Sequence, residues 1–529
     1  MGSTYDIVVA GGGHNSLTAT AYLAASGLKV LVLERNAWLG GGVVTQEVTV
    51  PGFRHDLHST AHMLLQANPL LRNDELGLQA RFGLKYIRPE ISVATIFDDG
   101  STVLTYHDLD KTCESMATLS PPDAESYRRH VEHSRKLLPM FVSGLFAPPA
   151  PFGAFMSMLE QSREGRALIG VMQKSAYDII DEIFESPKLK IHFMKYSSEA
   201  MAAPEEKGTG LIFSMLVGFV HAYHGGFPKG GSSGLTDSLA RCIEHHGGEI
   251  RTQSDVSRVI VERGKAVGVA LKSGEEIRAK RGVIGCFHPH LLKNYVAGVD
   301  PAILEDARRT QPGPYSSIVA NYALNSAPVY DSLAGLPSPL IVECVSADLK
   351  TVRQEFDSLR YGVMPEAVSL VCAINTNHDP SRAPPGKSTL YMYNFAPYEL
   401  ADGGPERWDD IKEAVADWML EGYRHYASNV GRDNIIARHV SSPRDNERTN
   451  LSFQKGDISG IGRYLHQFLG RRPTPELSQY AVPGIEGLYL CGPFMHPGGG
   501  VIGGGRAVAI KMMLDLGINL DQVVAKQKG

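Results

Sequence analysis

The hydrophobic pattern near the start of the chain predicts a strand, a helix and a second strand, in that order. Residues 5–10 are rich in β-branched side chains and run into three glycines, which indicates a buried strand that ends in a tight turn. Residues 15–26 carry apolar side chains at helical spacing and stop at Gly27, and residues 29–33 form another short apolar run. This order predicts a β-α-β unit in a parallel sheet.

Two later segments also place glycines beside apolar strands and helices. The first predicts a turn at 227–234, a helix at 235–246, a strand at 249–251, hairpin strands at 256–261 and 266–271, and a buried strand at 282–287. The second lies near the C-terminus, where a strand at 487–492 leads through a glycine-rich loop into a helix at 506–516. Glycines in such places indicate backbone that approaches something closely.

The long middle of the chain contains fewer glycines and predicts a mixed sheet covered by helices. Strands are predicted at 314–324, 339–344, 367–374 and 388–395, and an amphipathic helix at 406–426. Residues 137–159 are apolar and broken by prolines. We favour a packed lid over a pocket for this segment above peripheral membrane contact, because no face rich in Lys or Arg accompanies it.

Composition narrows the class of protein. The chain has 529 residues, of which 43% are apolar and 21% charged, and these values exclude a disordered chain, a coiled coil and a collagen-like repeat. Single cores stop growing near ~250–300 residues, so two or more core-bearing units are expected. The net charge is −5 without a basic stripe, so we expect no nucleic-acid partner.

Cysteine usage and the N-terminus indicate a compartment. The six cysteines are scattered and form no C-x-x-C pair, which favours a reducing environment and argues against a zinc site or a redox-active dithiol. We expect no signal peptide, and no stretch of roughly 18 apolar residues that would span a membrane. The expected location is cytoplasmic, while the oligomeric state stays open.

The first β-α-β unit carries the parts that dinucleotide binding requires. Gly11 makes the tight turn, Gly13 lets the backbone approach a pyrophosphate, and Glu34, 21 residues further on, ends the second strand where a ribose would lie. The helix N-terminus adds N–H donors and the positive end of a dipole. The predicted binding residues here are Gly11, Gly13, His14, Asn15, Ser16, Glu34, Arg35, Gly41 and Gly42. Ser16 replaces the third glycine of the usual pattern, and we expect its small side chain to be tolerated.

The three glycine-bearing segments together resemble one group of flavoproteins. The resemblance rests on Arg35 with the Gly40–Gly42 run after the ribose acid, on P-K-G-G at 228–231, and on the terminal G-L-Y-L-C-G-P-F-M-H-P-G-G-G-V-I-G. These motifs resemble the FAD-dependent phytoene desaturase, carotenoid isomerase and retinol saturase group of the amine-oxidase superfamily. Within it, the chain resembles the branch of pyridine-nucleotide-disulfide-oxidoreductase-domain protein 2, although the disulfide in that name has no counterpart here.

The resemblance implies an α/β fold with FAD as the cofactor. A two-dinucleotide-binding, Rossmann-like FAD domain would comprise residues 1–75, 225–300 and 482–529, and an inserted α+β substrate domain residues 76–224 and 301–481. It also implies a second set of FAD contacts, which are His58, Ser59, Val256, Gly492, His496, Pro497, Gly500, Val501 and Ile502. A helix N-terminus beside the flavin pyrimidine would stabilise charge on the reduced ring.

Three side chains are candidates for acid–base chemistry. His58 replaces a small residue of the family pattern near the flavin, and Tyr223 and His224 directly precede the P-K-G-G turn. Histidine titrates near neutrality and tyrosine can do so when tuned, so each is a candidate general base. Each also has a structural interpretation as a packed side chain. His55, His58 and His62 lack a matching carboxylate or cysteine frame, so no metal site is expected.

We therefore expect an FAD-dependent oxidoreductase that desaturates a small or medium organic substrate. A C–H bond would give a hydride to flavin N5 and a second proton to a His or Tyr base, and a position α,β to a carbonyl would suit such a base. The alternatives are a flavin amine oxidase, a carotenoid or polyene desaturase or isomerase acting on membrane lipid, and a non-catalytic flavin-bound interaction protein. Oxygen or a quinone is the expected electron acceptor, and the choice between them stays open.

Overall fold

The computed structural model describes residues 4–528, and within this range the chain builds two large sheets and two short ribbons. The strands are β1 Thr4–Ala10, β2 Val30–Leu33, β3 Thr45–Gln46, β4 His55–Asp56, β5 Tyr86–Ile87, β6 Ile91–Phe97, β7 Thr102–Tyr106, β8 Phe227–Pro228, β9 Glu249–Arg251, β10 Val256–Glu262, β11 Lys265–Leu271, β12 Glu276–Gly285, β13 Ser316–Leu324, β14 Ile341–Val345, β15 Leu370–Ala373, β16 Ser388–Ala396, β17 Ile435–Ser441 and β18 Leu488–Leu490.

Helices cover both sheets. They are α1 His14–Ala25, α2 Pro69–Arg72, α3 Leu109–Ala117, α4 Pro121–Leu145, α5 Phe152–Glu160, α6 Arg163–Gln173, α7 Ala176–Ile183, α8 Pro187–Ser198, α9 Gly210–Ala222, α10 Ser233–His245, α11 Leu292–Tyr295, α12 Pro301–Arg308, α13 Leu349–Arg360, α14 Trp408–Tyr423, α15 Pro443–Thr449, α16 Gly505–Asp515 and α17 Leu520–Lys528. No helix in this described range is long and apolar enough to cross a membrane.

The first sheet has the order β10-β11-β12-β1-β2-β9, and β18 pairs with β12 on a side path. Strands β9, β2, β1, β12 and β18 run parallel, while β10, β11 and β12 pair antiparallel. The parallel strands β1 and β2 are largely buried, as expected for a sheet with helices packed on its faces. The carboxyl ends of β1 and β2 therefore open onto the loops that follow them, which is where ligands bind in such sheets.

The second sheet has the order β17-β13-β16-β15-β14-β6-β7 and is antiparallel except for the β14–β6 pair. One face packs against α14 around Trp408. On the opposite face the strand register places Ser441, Val319, Tyr393 and Val371 in a lateral row that continues to Glu343. Because strand side chains alternate between faces, this row and the residues two positions away form one surface.

The predicted α/β class is confirmed, and most predicted elements occur within a few residues of their expected bounds. Strands β6, β7 and β17 have no counterpart in the prediction. Helix α4 also continues through Pro139 instead of breaking there, and its buried side chains Leu138 and Leu145 pack against α9. Tertiary packing thus outweighs the local cost of proline at this position.

The two sheets draw on different parts of the sequence. Strands of the first sheet lie within residues 1–75, 225–300 and 482–529, and those of the second lie within 76–224 and 301–481. The same ranges were expected for the two domains. The strands are therefore distributed as the predicted division requires, while the domain boundaries themselves stay a prediction.

Candidate functional site

Residues from both sheets line one cavity of about 550 Å³. One part of its wall comes from the loops after β1 and β2 and from the start of α1. A second part is the glycine-rich segment at 492–502, and a third is formed by the second sheet with α8 and α9. The cavity thus connects the predicted dinucleotide loops with the predicted substrate region.

The loop after β1 has the geometry of a phosphate-binding turn. Gly11 has a φ of +109°, and a Cβ atom there would lie 2.7 Å from the Cβ of Cys286, so only glycine fits. Ser16, at the third fingerprint position, donates hydrogen bonds from Oγ to the carbonyls of Gly11 at 2.6 Å and Gly13 at 2.9 Å. The serine therefore fits because its hydroxyl pairs within the loop.

Glu34 is held at the end of β2 by backbone donors. Its Oε2 accepts a hydrogen bond from Gly12 N at 2.7 Å, and its Oε1 accepts one from Asn36 N at 2.8 Å. Burial raises the pKa of Glu34, and these amide hydrogen bonds oppose the shift. Glu34 lines the cavity together with Arg35 and Val256, as expected for the adenosine end of a dinucleotide.

Several buried polar atoms on this side of the cavity lack partners. Within residues 4–528, His14 Nε2, Ser59 Oγ and Arg463 Nε are buried and form no hydrogen bond, although all three residues line the cavity. Buried polar atoms are rarely left unpaired, so their presence points to a ligand with its own donors and acceptors. A dinucleotide with a pyrophosphate and a flavin ring fits this set.

The predicted FAD contacts divide into two groups. Those that line the cavity are Gly11, Gly13, His14, Asn15, Ser16, Glu34, Arg35, Gly41, Gly42, His58, Ser59, Val256, Gly492, Gly500, Val501 and Ile502. His496 and Pro497 do not line it. His496 Nε2 instead bonds the carbonyl of Gly144 at 2.9 Å, and Pro497 lies against Gly504, so both support the loop from behind.

One face of the second sheet forms the floor of the substrate part of the cavity. Its contributors are Val93, Ser317, Ile341, Glu343, Val371, Tyr391, Tyr393, His439 and Ser441. Across the cavity lie the end of α8 and the residues after it, with Tyr196, Glu199 and Met201, and one side of α9. Tyr391 also donates a hydrogen bond from its hydroxyl to the carbonyl of His58 at 2.8 Å, which ties this floor to the predicted flavin loop.

Two acids, Glu199 and Glu343, face the substrate part of the cavity, and we call them the carboxyl pair. The hydroxyl of Tyr393 donates to Glu199 Oε2, and Thr95 Oγ1 donates to Glu343 Oε2 at 2.7 Å. Oε1 of each acid is buried and has no partner among residues 4–528. Each acid is therefore oriented by one hydroxyl and keeps one oxygen for a ligand.

Burial and mutual repulsion raise the pKa values of the carboxyl pair. The pKa of Glu199 is raised to about 8, first by burial and further by the charges of Glu343 and Glu355, while Lys195 opposes the shift. Burial likewise raises the pKa of Glu343 to about 7. Two interacting acids lose their protons as a pair, so near neutrality the carboxyl pair carries about one proton and one negative charge.

The predicted bases Tyr223 and His224 do not line the cavity. His224 Nε2 bonds the carbonyl of Pro89 at 2.8 Å, and its ring stacks on His107 with ring centroids 4.5 Å apart. Tyr223 packs against Phe219. Their catalytic roles stay predictions, but we correct the expected placement, because both rings are engaged by protein groups outside the cavity.

His58 does line the cavity, where its ring meets Phe453 edge-on. Burial lowers its pKa to about 4, so the ring is neutral near pH 7 and a weak base. No group of three or more His, Cys, Asp or Glu side chains that could hold a metal ion occurs in the described part of the chain. The strongest acid–base groups of the cavity are therefore the carboxyl pair.

Sequence reasoning missed the carboxyl pair and Arg463. One signal was present, because Glu343 is the single acid inside the apolar run of residues 340–345, where a buried strand was predicted. Glu199 and Arg463 lie in segments without a recognisable motif. Their position in the cavity depends on long-range packing that the local pattern does not encode.

Comparison with known proteins supports the flavin interpretation. Residues 17–399 match the family described as flavin containing amine oxidoreductase. One of the two kinds of subunit of limonene dehydrogenase from Castellaniella defragrans is 28% identical, with 99% of this chain and 98% of the relative covered. Pyridine nucleotide-disulfide oxidoreductase domain-containing protein 2 of Rattus norvegicus is also 28% identical, with 97% and 94% covered.

A solved structure shows the same fold. An oxidoreductase from Methanosarcina mazei superimposes with a TM-score of 0.62 at 17% identity, over 97% of this chain and 100% of the other. The predicted resemblance to the desaturase and domain-protein-2 group is confirmed, as is FAD as the cofactor. The protein is an FAD-dependent oxidoreductase, and it belongs to the flavin containing amine oxidoreductase family.

Proposed function

We propose that this oxidoreductase desaturates a small or medium organic substrate at the carbons α and β to a carbonyl group. The observation that carries the proposal is the carboxyl pair, which presents two unpartnered oxygens to the cavity and shares about one proton near neutrality. A site with one ionised and one protonated acid offers both a base and a hydrogen-bond donor.

The residues that would hold FAD are those of the glycine-rich wall. Gly11 and Gly13 with the first turn of α1 would bind the pyrophosphate, and Glu34 the adenosine ribose. The segment at 492–502 would enclose the flavin ring. When bound, FAD supplies the hydride acceptor, while the protein positions the substrate and handles the proton.

The carboxyl pair would divide the proton chemistry between its members. The ionised acid takes the proton from the carbon beside the carbonyl, and the protonated acid donates a hydrogen bond to the carbonyl oxygen as negative charge builds there. Tyr393 and Thr95 hold one oxygen of each acid, so the free oxygens keep a fixed direction. Their burial also strengthens both interactions, because few competing water molecules are present.

A flavin amine oxidase is the second candidate. It is favoured by the charge balance of the same cluster, in which Glu199, Glu343 and Glu355 face one cation, Lys195. A substrate ammonium group would compensate the remaining negative charge. A polyene is less favoured because a purely apolar ligand leaves the polar oxygens of the carboxyl pair unpaired, which costs binding free energy.

Anaerobic reduction tests the proposal. The FAD-loaded protein is mixed in turn with cyclic and linear ketones, primary amines and polyenes, and bleaching of the flavin absorption is followed by stopped flow. Reduction by saturated ketones, with the enone recovered as product, supports the proposal, whereas reduction by amines alone supports the second candidate. Bleaching by neither class, in a protein that dithionite reduces fully, contradicts both. His224→Ala serves as a control that should reduce at the wild-type rate.

A further inference from the structure

Two arginines lie buried beside the glycine-rich segment at 492–502, and they differ in how they are used. Arg472 donates to a set of backbone carbonyls, those of Ser459, Ile461, Gly462 and Pro493. Arg463 has one such bond, from Nη2 to the carbonyl of Gly499 at 2.7 Å, and lines the cavity. Arg472 thus braces the loop, while Arg463 retains donors for a ligand.

The charges around Arg463 do not balance. Within residues 4–528, Asp457 is the one carboxylate whose charge acts on the pKa of Arg463. Its two oxygens already accept hydrogen bonds from Gly313 N at 2.6 Å and Ser459 N at 2.7 Å. Two guanidinium groups and one carboxylate leave one positive charge in excess.

The other titratable groups near this cluster do not remove the excess. Burial lowers the pKa of Arg463 to about 10 and that of Arg472 to about 9, so both stay charged at neutral pH. Burial also lowers the pKa of His288 to about 3 and of His496 to about 4, so both rings are neutral. A buried, uncompensated cation is costly, and one that faces a cavity indicates an anionic partner there.

We infer that Arg463 stabilises the negative charge of the reduced flavin. A hydride brings two electrons and one proton to the ring, so reduction by hydride leaves one additional negative charge on it. The family resemblance places the pyrimidine end of the flavin, where this charge resides, beside the segment that Arg463 contacts. The inference rests on the FAD cofactor and not on which substrate supplies the hydride.

A full charge at this place adds to the effect of the helix that follows. The N-terminus of α16 carries a partial positive charge equivalent to roughly half an elementary charge. Arg463 adds a whole charge in a buried site, where electrostatic interactions are poorly screened. Helix α16 is the same in any Arg463 variant, so a substitution isolates the contribution of the guanidinium group.

The test measures the midpoint potential of bound FAD against pH in wild type, Arg463→Lys and Arg463→Gln. Uptake of two electrons and one proton gives half the pH slope of uptake of two electrons and two protons. We expect the half slope at neutral pH in wild type and Arg463→Lys, and the full slope with a more negative potential in Arg463→Gln. Sulfite, which adds to oxidised flavin and leaves the same charge, should bind Arg463→Gln at least about tenfold more weakly, the equivalent of about 1.4 kcal/mol.

Two outcomes overturn the inference. The first is a full slope between pH 6 and 9 in the wild type, which needs no variant and therefore does not depend on the folding of Arg463→Gln. The second is an Arg463→Gln protein that keeps the half slope and the wild-type affinity for sulfite. Neither readout requires a substrate, so failure of the proposed desaturation leaves this test intact.

Discussion

The two walls of the cavity recognise their ligands by different means. The cofactor wall is largely backbone, with glycines such as Gly11 placed where a side chain would collide with its neighbours. The substrate wall is made of side chains that project from one face of a sheet and from α8 and α9. The first wall depends on the path of the chain, whereas the second depends on which side chain occupies each position.

This difference has a physical consequence for tolerance to change. A glycine beside a phosphate or a second helix cannot be enlarged without moving backbone. A side chain on the sheet face can be exchanged while the hydrogen-bond ladder beneath it stays in place. We therefore expect substitutions in the cofactor wall to affect FAD content and stability, and substitutions in the substrate wall to affect rate and specificity.

The largest expected effect is on the rate of flavin reduction. Glu199→Gln removes an acid–base group but keeps its shape, so reduction by a substrate found in the panel should slow by about 10²–10⁴-fold with FAD retained. Stopped-flow bleaching measures the rate, and the flavin absorption measures the retained FAD. Glu205→Gln, the same change at an exposed acid, should leave both unchanged. A wild-type rate in Glu199→Gln would exclude this acid from the proton transfer.

The next effect concerns the buried ion pair that joins the two walls. Asp56 Oδ2 lies 2.8 Å from Arg382 Nη2, both side chains are almost fully buried, and Asp56 Oδ1 accepts from Ser232 N at 2.9 Å. Asp56→Ala leaves the guanidinium uncompensated, so the free energy of unfolding in urea should fall by about 3–5 kcal/mol. Glu205→Ala, which breaks the exposed pair with Arg353, should cost less than about 1 kcal/mol. Equal losses in the two variants would contradict this assignment.

The pH dependence tests the sharing of a proton by the carboxyl pair. One acid must be ionised and one protonated, so the rate should rise with pH through about 7 and fall again above about 8. Each limb should approach tenfold per pH unit. The measurement is the rate of anaerobic reduction at saturating substrate from pH 5 to 10. A rate that rises steadily to pH 10 would show that no protonated acid is needed.

The smallest effect is expected in the cofactor wall. A Cβ at Gly505, the first residue of α16, would lie 1.8 Å from the carbonyl oxygen of Asn15 in α1. Gly505→Ala should therefore separate the two helices, cost about 1–3 kcal/mol of stability and reduce the FAD content. Gly170→Ala, inside α6 and without a neighbour within 4 Å, should gain about 0.5–1 kcal/mol. Thermal unfolding of the loaded proteins compares them, and a fully loaded, equally stable Gly505→Ala would contradict the close contact.

The same contrast explains how far the sequence could be interpreted. The turn at Gly11, the acid Glu34 and the glycines at 498–500 belong to motifs whose spacing is set by a fixed ligand, so the cofactor wall was predictable. Glu199 and Glu343 come together only when α8 packs over the second sheet, and strand β6, which holds the hydroxyl of Thr95, was not predicted at all. Contacts of this kind depend on side chains more than a hundred residues apart.

The lateral row on the second sheet also has a meaning for how such an enzyme changes. Tyr393 and Glu343 occupy pleated positions fixed by main-chain pairing, and Tyr391, two residues away on the same strand as Tyr393, anchors the loop that carries His58. Alternate residues of these strands can therefore be swapped without altering the distance between floor and cofactor. The sheet acts as a gauge block: it holds a constant working height above which the chemistry of the substrate can diversify.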